Sequence, residues 1–448
     1  MMAEDVLELA DRLWRTEIDI ASVHPVGGHI GDLCEPRAGV AFVPSFANVS
    51  AFTTDDGLAL VDTGSSFFAS AVHQAIRGWS SLRLDTAIYS HGHIDHVFGV
   101  STFEDEAKAN GWAPPVVVAH EALPARFDRY IATAGYNTLI NQRQFNLPGL
   151  SWPTEYRYPD RTYSDQLQLE VGGLRLELYH ARGETDDHTW TWVPELRVLC
   201  CGDLFIWASP NAGNPQKVQR YPREWATALK DMVALSPEIL LPGHGVPVVG
   251  VERVRRALTD TADLLDSLVD QTLALMNAGA RLDEILHEVR APAALLEKPY
   301  LRPVYDEPEF VVRNVWRQYG GWWDGNPSTL KPAPEATLAT ELAELAGGPG
   351  ALADRALSLA APVDSESKAD GERDSGGGRC ADVPVALRLA AHLAELAALA
   401  APADPGIHRV RAHVFSRCAE AATSTMARGV FTWAARSSEN KDRTGDDP

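Results

Sequence analysis

Basic residues are scarce: 40 lysines and arginines stand against 61 aspartates and glutamates in 448 residues, a formal net charge of −21. A surface of that sign repels phosphate backbones and anionic bilayers, so nucleic acid and stable membrane insertion are not expected. Cysteine is scarce as well. The five present, Cys34, Cys200, Cys201, Cys380 and Cys418, are odd in number and show no C-x-x-C spacing, and Cys200 and Cys201 sit inside an apolar run. A disulfide framework is thereby excluded, and they read as reduced, buried thiols. No apolar run reaches the roughly eighteen residues of a membrane span. The start, Met1-Met2-Ala3-Glu4-Asp5, is acidic where a signal peptide is basic, so the expectation is a soluble cytoplasmic protein. Length is not lacking, and at roughly 150 residues per domain it implies two or three units.

What is abundant locally is metal-capable side chains. Tyr89-Ser90-His91-Gly92-His93-Ile94-Asp95-His96 crowds three imidazoles and a carboxylate into six positions directly after an apolar run. Residues two apart on a helix point away from each other, whereas an extended loop lets His91 and His93 converge while Asp95 and His96 turn toward a second point. Two metals are therefore expected. Imidazole with carboxylate suits zinc, and two ions about 3.5–4 Å apart can activate one water between them. The chemistry implied is hydrolysis of a small substrate. An anionic one is compatible with the acidic chain, because bound cations and a few arginines make a cleft locally positive.

The same pattern recurs at strand ends along the chain. Leu58-Ala59-Leu60-Val61 is closed by Asp62, Val198-Leu199-Cys200-Cys201-Gly202 by Asp203, and Ile239-Leu240-Leu241-Pro242-Gly243 by His244. Alone, each is ordinarily a cap or turn residue. Their recurrence beside a second metal-capable stretch, Gly183-Glu184-Thr185-Asp186-Asp187-His188, makes a shared site the better reading. A hairpin through Gly172-Gly173 precedes that stretch. Residues 130–163, which hold Asn141 and Arg143, show little periodicity and are expected to form a long irregular segment walling the substrate site.

Beyond Val251 the composition turns helical, with expected helices at 252–277, 282–289, 308–319, 338–346, 383–399 and 407–433. Residues 364–380 carry no apolar anchor and are expected to be mobile, and the tail after Arg436 to fray.

In this order, Asp62, the H-x-H-x-D-H loop, Glu184, Asp203 and His244 resemble the metallo-β-lactamase superfamily over about residues 20–250. Glu184 stands where most of that superfamily has histidine and so resembles the alkylsulfatase branch, although Asp203 stands where alkylsulfatases carry glutamate. Tyr300 to Arg317 and Gly320-Gly321-Trp322-Trp323-Asp324-Gly325-Asn326-Pro327 resemble the alkylsulfatase dimerisation domain. The resemblance implies an α/β protein: a metallo-β-lactamase αββα sandwich over 1–250, then an all-α dimerisation domain over 251–440 with a disordered loop at 363–381. It also implies that the sterol-carrier-like domain ending full alkylsulfatases is absent.

By the resemblance and by ligand chemistry, His91, His93 and Glu184 would hold one zinc, Asp95, His96 and His244 a second, and Asp203 would bridge them. Asp95, Asp203 and Asp62 are then the carboxylates of the catalytic machinery, Asp62 supporting a ligating imidazole without touching metal. Asn141, Arg143 and Arg220 are the expected substrate contacts, since sulfate needs clamping by arginine more than general acid catalysis. The implied activity is cleavage of alkyl sulfate esters, of the linear primary-alkylsulfatase type, by a homodimer. Alternatives are the same chemistry on another ester, thioester, lactone or phosphodiester, or a metal-stabilised dimeric scaffold without activity.

Overall fold

The computed structural model describes residues 5–23, 32–361 and 383–444. The expected mobile loop at 363–381 lies outside the described residues.

Two sheets dominate. The first runs in simple order β1 (Cys34–Arg37), β2 (Val40–Val43), β3 (Val49–Thr53), β4 (Leu58–Val61), β5 (Leu84–Ile88), β6 (Val116–His120) and β7 (Arg161–Tyr163). The second comprises β8 (Gln166–Val171), β9 (Leu174–His180), β10 (Thr189–Val193), β11 (Val198–Gly202), β12 (Ile239–Pro242) and β13 (Val248–Val249), in the spatial order β13-β12-β11-β10-β9-β8. The first is antiparallel from β1 to β4 and parallel from β4 to β7, and the second is antiparallel except where β11 meets β12, so the strands that feed the site are parallel neighbours: β4 with β5, and β11 with β12. Inner parallel strands are covered on both faces, which is why β4 and β11 read as unbroken apolar runs rather than alternating ones. Every residue of both is buried.

The first sheet's core gathers Ala41, Val49, Ala51, Leu60 and Ala87 under Val72 and Ile76 of helix Ala69–Trp79 and under Val100 and Phe103 of helix Val100–Asn110. Burying each large aliphatic or aromatic side chain contributes about 1.5–3 kcal/mol. Helix Pro222–Ala234 packs along helix Val251–Asn277, which also touches β12 and β13. This is the expected αββα sandwich. In the β8–β9 hairpin both turn residues, Gly172 (φ 49°) and Gly173 (φ 77°), are left-handed, the backbone a two-residue hairpin loop demands.

Among the described residues the chain divides into two compact units. One takes the residues up to Asn137, Trp152–Gly279 and Ala291–Tyr319, so the sheets are joined by helix Val251–Asn277 and most of helix Pro308–Gly320. The other takes Thr138–Ser151, Ala280–Arg290 and the residues from Gly320 onward. Within it, helices Glu335–Ala346, Pro349–Ala360, Val385–Ala400 and Pro405–Ala421 share a core of Ala343, Leu352, Ala353, Ala397 and Ile407, where alanines let the helices approach closely.

Three expectations are corrected. The stretch 130–163 is helical in its first part, with helices Leu123–Ala132 and Ala134–Phe145. The buried face of the second is Asn137, Ile140, Asn141 and Gln144, so amides stand where apolar residues would have announced the period. The single helix expected over 407–433 is two, Pro405–Ala421 and Thr425–Thr444, broken at a Ser424 hydroxyl that accepts from the Ala427 N–H at 3.2 Å. The tail after Arg436 stays helical to Thr444.

Candidate metal centre

Chain geometry brings the loops that follow β4, β5, β11 and β12 together, because parallel neighbours end on the same side: Val61 is paired with Ile88, and Gly202 with Pro242. Asp62, His91, Asp203 and His244 leave those four strand ends. Gly243 is required there, since a Cβ at that position would sit 2.1 Å from Asp203 Oδ1. Asp62 itself is left-handed at φ 61°.

Two groups of atoms able to hold a metal result, each with all atoms within 4.8 Å of one another: His91, His93, Glu184 and Asp203 in one, and Asp95, His96 and His244 in the other. His91, His96, Glu184, Asp203 and His244 are buried, while His93 and Asp95 are partly open. Asp203 stands between the groups. Its Oδ2 is 3.8 Å from His91 Nε2 and 3.3 Å from His244 Nε2, and its Oδ1 is 3.4 Å from His96 Nε2. Asp95 Oδ2 is 3.6 Å from His96 Nε2 and 3.4 Å from His244 Nε2, and Glu184 Oε2 is 3.9 Å from His93 Nδ1.

The hydrogen bonds behind these atoms decide which nitrogen each ring presents. His96 Nδ1 is 2.8 Å from Asp62 Oδ2, an oxygen that only accepts, so Nδ1 carries the hydrogen and Nε2 faces the site. The Ser90 hydroxyl donates to the same Oδ2 at 2.7 Å and must therefore accept from His91 Nδ1, 3.0 Å away. His91 too presents Nε2. A carbonyl likewise only accepts, so the bond between His244 Nδ1 and Phe46 O leaves Nε2 of His244 facing Asp95 and Asp203. A carboxylate that fixes an imidazole this way is the usual support of a metal-binding histidine.

Charge points the same way. Burial opposes ionisation of His244, yet the Asp203 and Asp95 carboxylates overcome it and push the ring up to about 10. His96 rises well above its ordinary range on the same balance, burial being outweighed by Asp203, Asp62 and Asp95. Burial also works against the Asp203 charge, but His244 and His96 hold it well below the usual carboxylate range. Glu184 is pushed up to about 8 by burial, against the pull of Arg220. His91 and His93 are driven down, chiefly by burial. His96 Nε2, Glu184 Oε2 and Asp203 Oδ1 are buried without a hydrogen-bond partner, which at a site of this composition is what a metal ion would satisfy. The donor set fits divalent ions of the zinc type.

Other expected residues fall differently. Arg220 is buried against Glu184, its Nη1 bonding the Glu184 carbonyl and lying 3.2 Å from Oε1. Asn141 and Arg143 lie on helix Ala134–Phe145, Asn141 buried and Arg143 partly so, in the part of it that belongs to the helical unit. Asp186 and Asp187 pair with the buried Arg126, and Asp187 Oδ2 accepts the Gly92 N–H at 2.9 Å, so these acids hold the histidine loop in place. Sequence reasoning missed Asn211, whose amide donates to Glu184 Oε1, and Lys217, which lies 5.3 Å over the Trp152 ring and is pushed down to about 7 by burial, with Arg220 and the acids Glu184 and Asp95 also acting on it. The run Ser209 to Lys217, with Pro210, Gly213 and Pro215, offered only a turn signal for them.

Two stretches of the chain match known families. Residues 43–244 match the family model of the metallo-beta-lactamase superfamily, and residues 281–366 that of alkyl sulfatase dimerisation. The chain is 29% identical over 316 residues to a linear primary-alkylsulfatase of Pseudomonas sp. (strain ATCC 19151), covering 65% of this chain and 59% of that protein. It is 28% identical over 334 residues to an (R)-specific secondary-alkylsulfatase of Pseudomonas sp., covering 68% of this chain and 50% of the relative. The chain thus spans little more than half the length of these relatives. The stereoselective inverting sec-alkylsulfatase Pisa1 from Pseudomonas sp. superposes with a TM-score of 0.77 at 22% identity, over 93% of this chain and 66% of that one, which is a likeness of fold. No helix among the described residues is long and apolar enough to cross a membrane.

Proposed function

We propose that this chain, a metallo-beta-lactamase superfamily member over residues 43–244 that continues into an alkyl sulfatase dimerisation segment, is a dinuclear zinc hydrolase of alkyl sulfate esters. The observation that carries the reading is the convergence of seven metal-capable side chains in two adjoining groups, in a chain whose next segment matches that dimerisation model.

His91, His93 and Glu184 would hold one zinc, Asp95, His96 and His244 the other, with Asp203 between them. Zinc in such a donor set supplies Lewis acidity and a nucleophilic water near neutral pH. The protein's own part is positioning and charge. Asp62 fixes His96 directly and His91 through Ser90. Arg220 is spoken for on one side by Glu184, while its Nε and Nη2 are buried without an acceptor, so two N–H donors in a fixed fork await an anion. A departing sulfate is a weak base that needs such donors more than a proton. Lys217, pushed down to about 7 by burial, adds positive charge to the same surroundings below that pH. A substrate contact is proposed for Asn141 and Arg143 from the sequence alone, and a raised KM in their alanine variants is its test. A linear primary alkyl chain and a homodimer built by the helical unit complete the proposal.

The test is sulfate release by zinc-loaded protein from primary and secondary alkyl sulfates, run beside a thioester, a lactone and a phosphodiester. Turnover of one of those with no sulfate released from any alkyl sulfate would sink the sulfatase reading and leave the fold's hydrolytic chemistry.

A further inference from the structure

We infer that Asn314 and Asp306, which follow the sandwich in a segment with no metal-capable motif of its own, are positioning residues for the Glu184 metal position. The inference rests on Glu184 being a ligand, as proposed above. Glu184 is gripped by two side chains of one loop: Asn211 bonds its Oε1, and Arg220 bonds both its carbonyl and its carboxylate. That loop has no regular secondary structure between Gly202 and Pro222, so what holds it must come from elsewhere.

It comes from residues 302–317. The Asn314 side chain mimics a peptide against the Arg220 backbone, accepting the Arg220 N–H at Oδ1 (3.2 Å) and donating Nδ2 to the Arg220 carbonyl (3.0 Å). Gln219 donates to Asn314 Oδ1 (3.0 Å) and accepts from Arg317 Nε (3.0 Å). Eight residues upstream, the fully buried Asp306 accepts the Gly213 N–H at Oδ2 (2.8 Å) and the Glu307 N–H at Oδ1 (2.9 Å). The Arg302 carbonyl accepts from the Ser209 N–H at 3.0 Å. At Gly213 the contact is backbone on backbone, since an added Cβ would lie 2.1 Å from the Phe310 carbonyl carbon. The loop is therefore clasped on both sides of its turn, one clasp beside Asn211 and one at Arg220. Both side chains that hold Glu184 take their positions from the helical segment, and so do the open donors of Arg220.

Partners behind a ligand commonly set about 10–100-fold of its metal affinity. The experiment titrates the full-length metal-free chain with Zn2+ against a chromophoric chelator, Glu184→Ala marking the step of the first position and His244→Ala that of the second. Asn314→Ala is expected to weaken the first step about 10-fold and leave the second unchanged, with native far-UV circular dichroism. Should that variant not fold, Asp306→Asn, which keeps one of the two acceptors, is read instead. A lowered melting temperature with both zinc steps intact, or both steps weakened alike, would mean a merely structural role and overturn the inference. Glu184→Ala leaving both steps intact would overturn it together with the ligand set. The expected zinc pattern in a protein that releases no sulfate would count against the proposed function alone.

Discussion

The imidazole of His188 lies 4.9 Å from that of His91 and within 19° of parallel, yet its Nε2 is turned to the Asp203 backbone N–H at 3.1 Å. Burial, working against the charged form, pushes this ring down to about 4, so it is a neutral acceptor. It stacks beside the site and steadies the turn that carries Asp203. Glu184→Ala is therefore expected to empty the first metal position, a loss beyond the roughly 100-fold that removal of an outer partner costs. His188→Ala should keep full metal stoichiometry, with at most about a 10-fold weakening. Metal analysis after dialysis distinguishes them, and an empty first site in the His188 variant would show that the ligand register is wrong.

Asp62 accepts from Ser90 N at 2.7 Å, Ser90 Oγ at 2.7 Å and His96 Nδ1 at 2.8 Å, so one carboxylate stands behind a ring in each group. Asp62→Ala is expected to weaken both zinc steps by about 10–100-fold. Asp62→Asn keeps the shape and should fall between. A loss confined to one step would separate His91 from this support.

Protonation should compete with metal. The His244 ring rises from an ordinary 6.5 to about 10 in the metal-free fold, because Asp203 and Asp95 outweigh its burial. For a raised histidine the stabilisation is fully present below pH 6.5 and lost as pH climbs through about 10, so the metal-free chain should become less stable across that interval. Zinc must displace that proton, and His96 in the same group is raised as well, so loading at pH 8 should release protons at the second position, one of them from His244. Calorimetry in buffers of different ionisation enthalpy measures it. Release that is unchanged in His244→Ala would refute the assignment.

Much of this site was legible because its polar groups follow apolar strands: β4, β11 and β12 are short buried runs, and a polar residue ending each of them is conspicuous. The H-x-H-x-D-H spacing was legible because no regular element explains it. Asn211, Lys217, Asp306 and Asn314 were not, since a lone amide, amine or acid in a loop or on a helix looks the same whether it faces a neighbouring group or water. Helix Ala134–Phe145 was hidden for a related reason. Its buried positions Asn137, Asn141 and Gln144 are polar, and hydrophobic periodicity cannot report a face that buries amides. Composition beyond Val251 announced helices but carried no information on which of them pack with the sheets.

Among the described residues, the helical unit leaves an apolar face uncovered. On helix Glu335–Ala346, Ala339 and Ala343 are buried at 0% and 2% exposure, whereas Leu338, Leu342 and Leu345 are exposed at 51%, 37% and 84%. Positions spaced i, i+4 and i+7 share one side of a helix, so these leucines form a stripe. Trp322 is 72% exposed and Trp323 38%, so both lie at the surface of the single chain. A second copy is the occupant that the dimerisation match favours. In a two-fold interface each leucine is buried twice, at about 1.5–3 kcal/mol apiece, and an obligate dimer buries roughly 2,000 Å2 or more. The double variant Leu342→Asp, Leu345→Asp would place four carboxylates in that seam and is expected to run as a monomer with unchanged helix content. Size exclusion with light scattering across a dilution series reads the outcome beside the unmodified protein. An unmodified chain that is already monomeric at tens of micromolar, or a double variant that stays dimeric, would take the seam away from this stripe.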